Sequence, residues 1–505
     1  MSRQLQQVFE KYQRDRREYV QAIAEAASRS ENTEILVKMG VLQLLRPLLL
    51  DNVSAIQQTA ALAIGRLANY KEEYAEQIIA AGILPEIVAG ISSTDPYYKR
   101  NSCFVIRTIS KHSPALAQQC VDAGALEPLV NCFTGFDTKV KEAAAWALGF
   151  IATHTPELAQ SVVDANAIQY LIEAVQDPEL SLRRIAVASL GDIAKHSVVL
   201  AQDVINVRAI SYISPLLQAQ DAKLKQQVCI TLSHIAKHSV DCAELVVEGE
   251  IFPATLTCLA DKDTGVRRAA ARLVETVVKH SQELAQLVVT VGGAAALVQY
   301  LKSDNEPLHA VMAIGFIAAF SQSLATTLIQ EGAPSVVLNV FVSSKDNAIK
   351  AATAWSLGQI GKHSPTHAST LTQLNVLTLL LDAYNEAPKD EENLRQKAKR
   401  ALKFIIDKTT EIQSLQPLIK KSDQKILKYV LAQIAKLLPK DQKARVPFVT
   451  SGGFQEVQKI QAEPGTKIRE YIEVINSCFP DHAVRYYSPS YPASLLQEIE
   501  SYEGP

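Results

Sequence analysis

Between Thr155 and His196, apolar and polar positions fall into three short helical blocks. Thr155 is placed to cap a helix whose first position is Pro156, with Glu157 where the helix dipole favours an acid. This first helix runs from Leu158 to Asp164 and breaks near Asn166. A second covers Ala167 to Val175 and stops at Asp177-Pro178, because a proline disfavours helical geometry in the residue before it. A third extends from Leu182 to Lys195, apolar at Ile185, Ala186, Ala188, Leu190, Ile193 and Ala194, which places one apolar stripe along it.

The same block recurs along the chain. His112, His154, His196, His238 and His280 are each 42 residues apart, and each but His154 follows a lysine. Tyr70 holds the slot one period upstream; Phe320 and His363 hold it downstream with small slips. A second marker keeps step: Gly40, Gly82, Gly124, Asn166, Arg208, Glu250, Gly292, Gly332 and Asn375. Two markers in phase at a step of about 40–47 residues indicate stacked helical repeats of the HEAT or armadillo kind. The short first helix, the glycine slot and the Ala-rich third helix favour armadillo. The expected fold is all-α, a right-handed armadillo-repeat α-solenoid with three helices per repeat.

The ends fit this plan. Residues 1–28 form a capping helix, with Gln4 to Ala27 as the third helix of a truncated first unit. About eight repeats occupy 29–387, and divergent repeats occupy 388–480. Pro388 to Asn393 reads as an inserted loop. Leu402 to Thr409 and Ile426 to Leu437 both resemble third helices, although far less than a period separates them. Ile468 to Cys478 resembles the last one. Residues 481–505 are a Tyr/Pro-rich tail with a short helix near Ser494 to Ser501.

Composition agrees. Hydrophobic residues make up 48% of the 505 and aromatics only 6%, which suits Ala- and Leu-rich helical packing. A net charge of −2 argues against broad phosphate neutralisation, so no nucleic-acid partner is expected. The polar start of the chain does not read as a secretory signal, and no apolar run of about 18 residues suggests a membrane span. Seven cysteines without a CxxC pair argue against a zinc site and structural disulfides and for a reducing, intracellular compartment.

The histidine ladder is the first candidate for chemistry. Stacked helices lie about 8–10 Å apart, too far for successive histidines to share a metal whose ligands sit about 2 Å from it. Lys and His instead close the third helix, where cations suit its dipole and orphan carbonyls, and the following Ser or Thr caps the next helix. No P-loop, GxGxxG, HExxH or GxSxG is present, so neither an enzyme nor a cofactor is expected. What remains is a long surface lined by third helices. Its candidate groove residues are Arg66, Phe104, Trp146, Phe150, Asp192, Trp355 and Gln359, of which the aromatics suit anchoring or the core equally. Residues 389–445 carry 15 Lys or Arg against 7 Asp or Glu. Lys420, Lys421, Lys425 and Lys428 form a candidate basic patch for an acidic partner such as a tubulin tail.

Several segments resemble the sperm-associated antigen 6 family. These are residues 44–51 (LLRPLLLD), 56–63 (IQQTAALA), 65–70 (GRLANY), 140–149 (VKEAAAWALG), 448–453 (FVTSGG), 462–465 (AEPG) and 485–489 (RYYSP). They are spread over nearly the whole chain. The resemblance implies a structural role on the central-pair microtubules of motile cilia and flagella, through contacts with tubulin and other central-apparatus proteins. Head-to-tail self-association through open solenoid ends is a further expectation. An armadillo nuclear-import adaptor is the main rival; such adaptors resemble one another in placing Asn one turn after a groove Trp. Here Trp146 is followed by Phe150 and Trp355 by Gln359. A catenin-like signalling or adhesion scaffold is the third reading.

Overall fold

The computed structural model describes residues 3–303, 306–388, 391–489 and 491, and every regular element among them is a helix. The chain divides into two units, Met1–Thr276 and Val277–Pro505. No single helix among the described residues is long and apolar enough to cross a membrane. The fold is the armadillo-repeat α-solenoid expected from the period.

In the first unit the third helices are Ser54–Ala68, Pro96–Ser110, Thr138–Ala152, Leu180–Ala194 and Ala222–Ala236, each of 15 residues, and the division between the units falls inside a sixth, Thr264–Val278. First helices have nine residues, as in Pro156–Asp164, and second helices are shorter or equal, as in Ala167–Val175. The marker slot makes the turn between them. Gly40, Gly82 and Gly124 have φ of 74°, 69° and 80°, and Asn166, Arg208 and Glu250 are held at 60°, 59° and 53°. A left-handed residue ends one helix and redirects the chain into the next, and glycine enters that region without a Cβ penalty.

The apolar stripe of each third helix faces the core. Leu182, Ile185, Ala186, Leu190, Ile193 and Ala194 are buried, whereas Ala188 is half-buried, on a face the core does not fully cover. Mid-helix glycines let successive third helices approach closely. A Cβ on Gly149 would lie 2.5 Å from Ser189 Oγ, and one on Gly191 would lie 2.5 Å from Thr231 Oγ1. The space serves a purpose: Ser189 Oγ donates to Ala145 O at 3.0 Å, and Thr231 Oγ1 donates to Val187 O at 2.8 Å.

The opening helix, Arg3–Ala26, packs against the third helix Ser54–Ala68. Arg66 donates to Ala24 O, and Tyr70 Oη donates to Ser28 O at 2.8 Å. Farther toward its start the helix leaves Leu5, Val8, Phe9 and Tyr12 exposed.

The second unit repeats the plan with two departures. The third helix Leu308–Phe320 has 13 residues, in the repeat where the period shortens. After Val376–Glu386 comes Glu392–Lys408, so Glu392 and Asn393 are helical and the expected loop ends before them. The close spacing of the next third helix, Gln424–Leu437, has a simple cause. Only Ile412–Lys421 separates the two, packing against Val376–Glu386 in the second-helix position, and the unit lacks a first helix. Gly452, at φ 85°, restores the left-handed turn before Gly453–Gln458 and Lys467–Asn476. The start of the Tyr/Pro-rich segment is helical, Asp481–Tyr487, with Tyr487 edge-on to Phe454 at 5.7 Å. The helix expected near Ser494 to Ser501 lies outside the described residues.

Candidate functional site

The histidine ladder holds repeats together. His112, His154, His196 and His238 place Nε2 2.6–2.8 Å from the carbonyls of Ala68, Ser110, Ala152 and Ala194, each at the end of the preceding third helix. In the second unit His363 does the same to Ala318 at 2.6 Å. A carbonyl only accepts, so Nε2 carries the proton. The carbonyls answered are therefore those of the preceding repeat, not of the histidine's own helix as the sequence led us to expect. The imidazole reaches farther than the local turn and finds the next orphan carbonyls along the stack. Burial pushes the pKa of His196 and His363 down, favouring the neutral ring. The capping expectation holds where Thr155, Ser197, Ser239 and Ser281 accept from a first-turn amide, but Ser113 and Ser364 make no such bond. Ser364 is turned instead to Thr366 and His367.

Along the third helices of the first unit, an aromatic and cationic cluster forms at the Trp146 slot. Trp146 and Phe150 stack at 5.6 Å with 14° between their planes, one helical turn apart. The Arg107 guanidinium lies 4.3 Å from the Trp146 ring centre and 5.7 Å from that of Phe150. Arg107 replaces the glycine found in its slot at Gly65, Gly149 and Gly191, so a long cation extends over the next helix's aromatics. That break in the glycine pattern was visible in the sequence, although Ser233 and Glu275 break it as well and only Arg107 has an aromatic pair one repeat on. The cluster borders a cleft of about 310 Å³ lined by Arg100, Phe104, Lys139, Glu142 and Trp146 among others. Trp146, Phe150, Phe104 and Arg107 are all half-buried.

The other candidates divide by what already holds them. Phe104 packs on Gly65, where a Cβ would come within 2.5 Å of its ring. Arg66 is bound to the opening helix. Asp192 accepts from Thr153 Oγ1 at 3.0 Å and pairs with Lys195 at 2.9 Å. In the second unit, Trp355 meets Phe316 edge-on at 5.0 Å, packs on Gly315, and has Lys397 Nζ 5.9 Å from its ring centre. Gln359 accepts from Lys362 at 2.7 Å, and the same Lys362 also bonds Ala319 O at 2.7 Å. Both tryptophans thus pair an aromatic neighbour with a cation contributed by a different helix, an arrangement stabilised by the ring quadrupole.

Lys420, Lys421, Lys425 and Lys428 are exposed, at the end of Ile412–Lys421 and on the first turns of Gln424–Leu437. Lys421 is paired with Asp382 at 2.9 Å, which leaves the patch with three of its four charges not answered by that carboxylate. Lys425 also lines a cleft of about 380 Å³ with Tyr384, Glu392, Arg395, Gln396 and Lys399. Arg395 stacks on Tyr384 at 5.3 Å, and Tyr384 Oη donates to Asp423 at 2.9 Å. Among the described residues, no three His, Cys, Asp or Glu side chains are grouped to hold a metal ion.

Comparison with known proteins adds to this geometry. The Armadillo/beta-catenin-like repeat family model matches residues 113–153. Sperm-associated antigen 6 of Mus musculus is 49% identical over 158 residues, which is 31% of this chain and 31% of that protein. Sperm-associated antigen 6 of Homo sapiens is 48% identical over 167 residues, 33% of each. The resemblance read from the sequence stands, over a stretch spanning about a third of the length of these relatives rather than nearly the whole chain. The crystal structure of an engineered protein superposes with a TM-score of 0.70 at 19% identity, covering 86% of this chain and 98% of that one. At that identity the likeness concerns the fold alone.

Proposed function

We propose that this armadillo-repeat chain, similar to sperm-associated antigen 6, is a non-enzymatic scaffold of the central-pair apparatus of motile cilia and flagella. It binds microtubules and other axonemal proteins and supports axoneme stability and motility. The observation that carries the reading is the 49% identity over 158 residues to the mouse relative. Shared fold alone is compatible with far lower identity, as the 19% of the engineered solenoid illustrates. The surface chemistry fits. Each unit offers one half-buried aromatic–cation cluster, at Trp146 in the first and at Trp355 in the second, as an anchor for partner chains. The exposed lysines of the 420–428 segment suit an acidic surface such as a tubulin tail, with attraction that weakens as salt rises.

Co-sedimentation with microtubules tests this. The chain pellets with microtubules at low salt, and Lys420→Glu, Lys425→Glu and Lys428→Glu together reduce the bound fraction several-fold. Lys421 is left in place because its pairing with Asp382 is intramolecular. Unreduced binding by the triple variant discards the basic patch; absence of binding by the unmodified chain discards direct microtubule contact.

A further inference from the structure

Two pairs of buried cysteines occupy equivalent places in two repeats. Cys103 Sγ lies 3.9 Å from Cys132 Sγ, and Cys229 and Cys258 hold the corresponding two slots, with Cys258 Sγ donating to Leu217 O at 3.7 Å. All four are 3% exposed or less. Cys229 and Cys258 each follow their counterparts by 126 positions, three full periods. The equivalent slots elsewhere in this unit hold Tyr19, Ala61, Ala145, Val187 and Ala271 for the first member, and Leu48, Gly90, Ala174 and Leu216 for the second. Cysteine therefore occurs in both slots or in neither. A lysine precedes the first member by one helical turn in each case, Lys99 and Lys225. Within each pair one thiol sits on a third helix, Pro96–Ser110 or Ala222–Ala236. The other sits at the second helix of the following repeat, in the turn Cys132–Thr134 or in Phe252–Leu259.

We propose that Cys103–Cys132 and Cys229–Cys258 are oxidative modification sites, each closing into a disulfide that ties one repeat to the next when the chain meets a hydroperoxide. Packing supplies the proximity: rotation about the side-chain bonds brings the Cys103 and Cys132 sulfurs, already 3.9 Å apart, to bonding distance, and Cys229 and Cys258 occupy the same two positions three repeats on. The shared hydrogen bond, with the Lys99 ammonium nearby, pulls the Cys132 thiol pKa down, while the same bond and burial push Cys103 up. Cys258 and Cys229 show the same polarity, with Lys225 in place of Lys99. The second-helix cysteine, whose thiol donates to Pro128 O at 3.3 Å in one pair and to Leu217 O at 3.7 Å in the other, gives up that proton to attack as the thiolate. Its sulfur attacks the distal peroxide oxygen, the O–O bond breaks, and the alkoxide or hydroxide takes up the thiol's proton, leaving a sulfenic acid. The third-helix sulfur then displaces the sulfenic oxygen, which leaves as water with that cysteine's proton. Two thiols lose two electrons and two protons, and one peroxide is reduced to two waters, or to water and an alcohol. The cross-link acts at the seam that the histidine ladder already stitches.

Peptide mass spectrometry after graded hydrogen peroxide tests this on the full chain, with free thiols alkylated in denaturant. Two cross-linked peptides are expected, Cys103 with Cys132 and Cys229 with Cys258, each lighter by two hydrogens. Cys120 and Cys242, buried in first helices, remain alkylatable. The oxidised chain melts at a higher temperature than the reduced one, a rise that dithiothreitol reverses. Cys103→Ala, which installs the residue found at Ala61 and Ala145, removes the first cross-link and keeps the second. The proposal is overturned if both pairs stay reduced at peroxide doses that oxidise the less buried Cys478, or if Cys120 and Cys242 react as fast as the pairs. Cross-links with any other pairing overturn it as well.

Discussion

Replacing His196 with Ala tests how much the histidine ladder holds. The imidazole Nε2 donates to Ala152 O at 2.7 Å, across 44 residues of chain and one repeat boundary. Removing it loses one hydrogen bond and leaves the carbonyl at the end of Thr138–Ala152 without that donor, for a combined cost of about 2–3 kcal/mol. Stability in repeat proteins is a sum of units and nearest-neighbour interfaces, so the loss is local and a single global midpoint understates it. Amide hydrogen exchange reads it directly. Protection in Thr138–Ala152 and Leu180–Ala194 falls roughly 30- to 150-fold, tenfold per about 1.4 kcal/mol. His196→Tyr is the control. Tyr70 shows that a phenol in this slot donates to a carbonyl two residues farther along, at Ser28, so His196→Tyr stays within about 1 kcal/mol of the parent. Exchange within threefold of the parent in His196→Ala would refute the stitching role.

Arg208→Gly and Glu250→Gly each relieve a left-handed residue held at φ 59° and 53°. Strain relief of about 1–2 kcal/mol, less the extra freedom of glycine in the unfolded chain, gives a net gain of roughly 0.5–1 kcal/mol, and a lowered melting temperature contradicts it. Gly358→Ala puts a Cβ 2.8 Å from Ala401 Cα, and backbone meets backbone. It destabilises the second unit by about 1–3 kcal/mol in urea titration, and an unchanged midpoint contradicts the close approach. His234, whose Nδ1 faces Gly191 O at 3.0 Å, has its pKa lowered from 6.5 to about 4, chiefly by burial. Between those values the unfolded chain binds the extra proton, so this contribution is complete above pH 6.5 and is lost as the pH falls toward 4. The loss is no more than about 3 kcal/mol after allowance for solvent at the half-buried ring. Stability curves of the parent and His234→Gln that run parallel over this range contradict the assignment.

The repeat was legible because one step governs two unrelated requirements. The left-handed turn selects Gly or Asn, and the seam between repeats selects a histidine, so both markers kept phase from Gly40 to Asn375. Helix bounds followed from local signals, and Ala167–Val175 agrees residue for residue. Periodicity failed where a repeat loses an element. Nothing local reveals that Ile412–Lys421 stands in a second-helix position without a first helix before it. The two aromatic–cation clusters were half legible. The slot of Trp146 and Trp355 was apparent, but which side chains come to rest on them was not. Arg107 and Lys397 arrive from neighbouring helices some forty residues distant in sequence. The destination of the histidines was missed for the same reason, since contacts between repeats do not appear within the pattern of one repeat.

Immunogold electron microscopy of the tagged chain in motile axonemes decides where the protein acts. Label is expected along the central-pair microtubules and is expected to be lost from axonemes that lack the pair. Label confined to the outer doublets, or to the nucleus or cell body with bare axonemes, would contradict it.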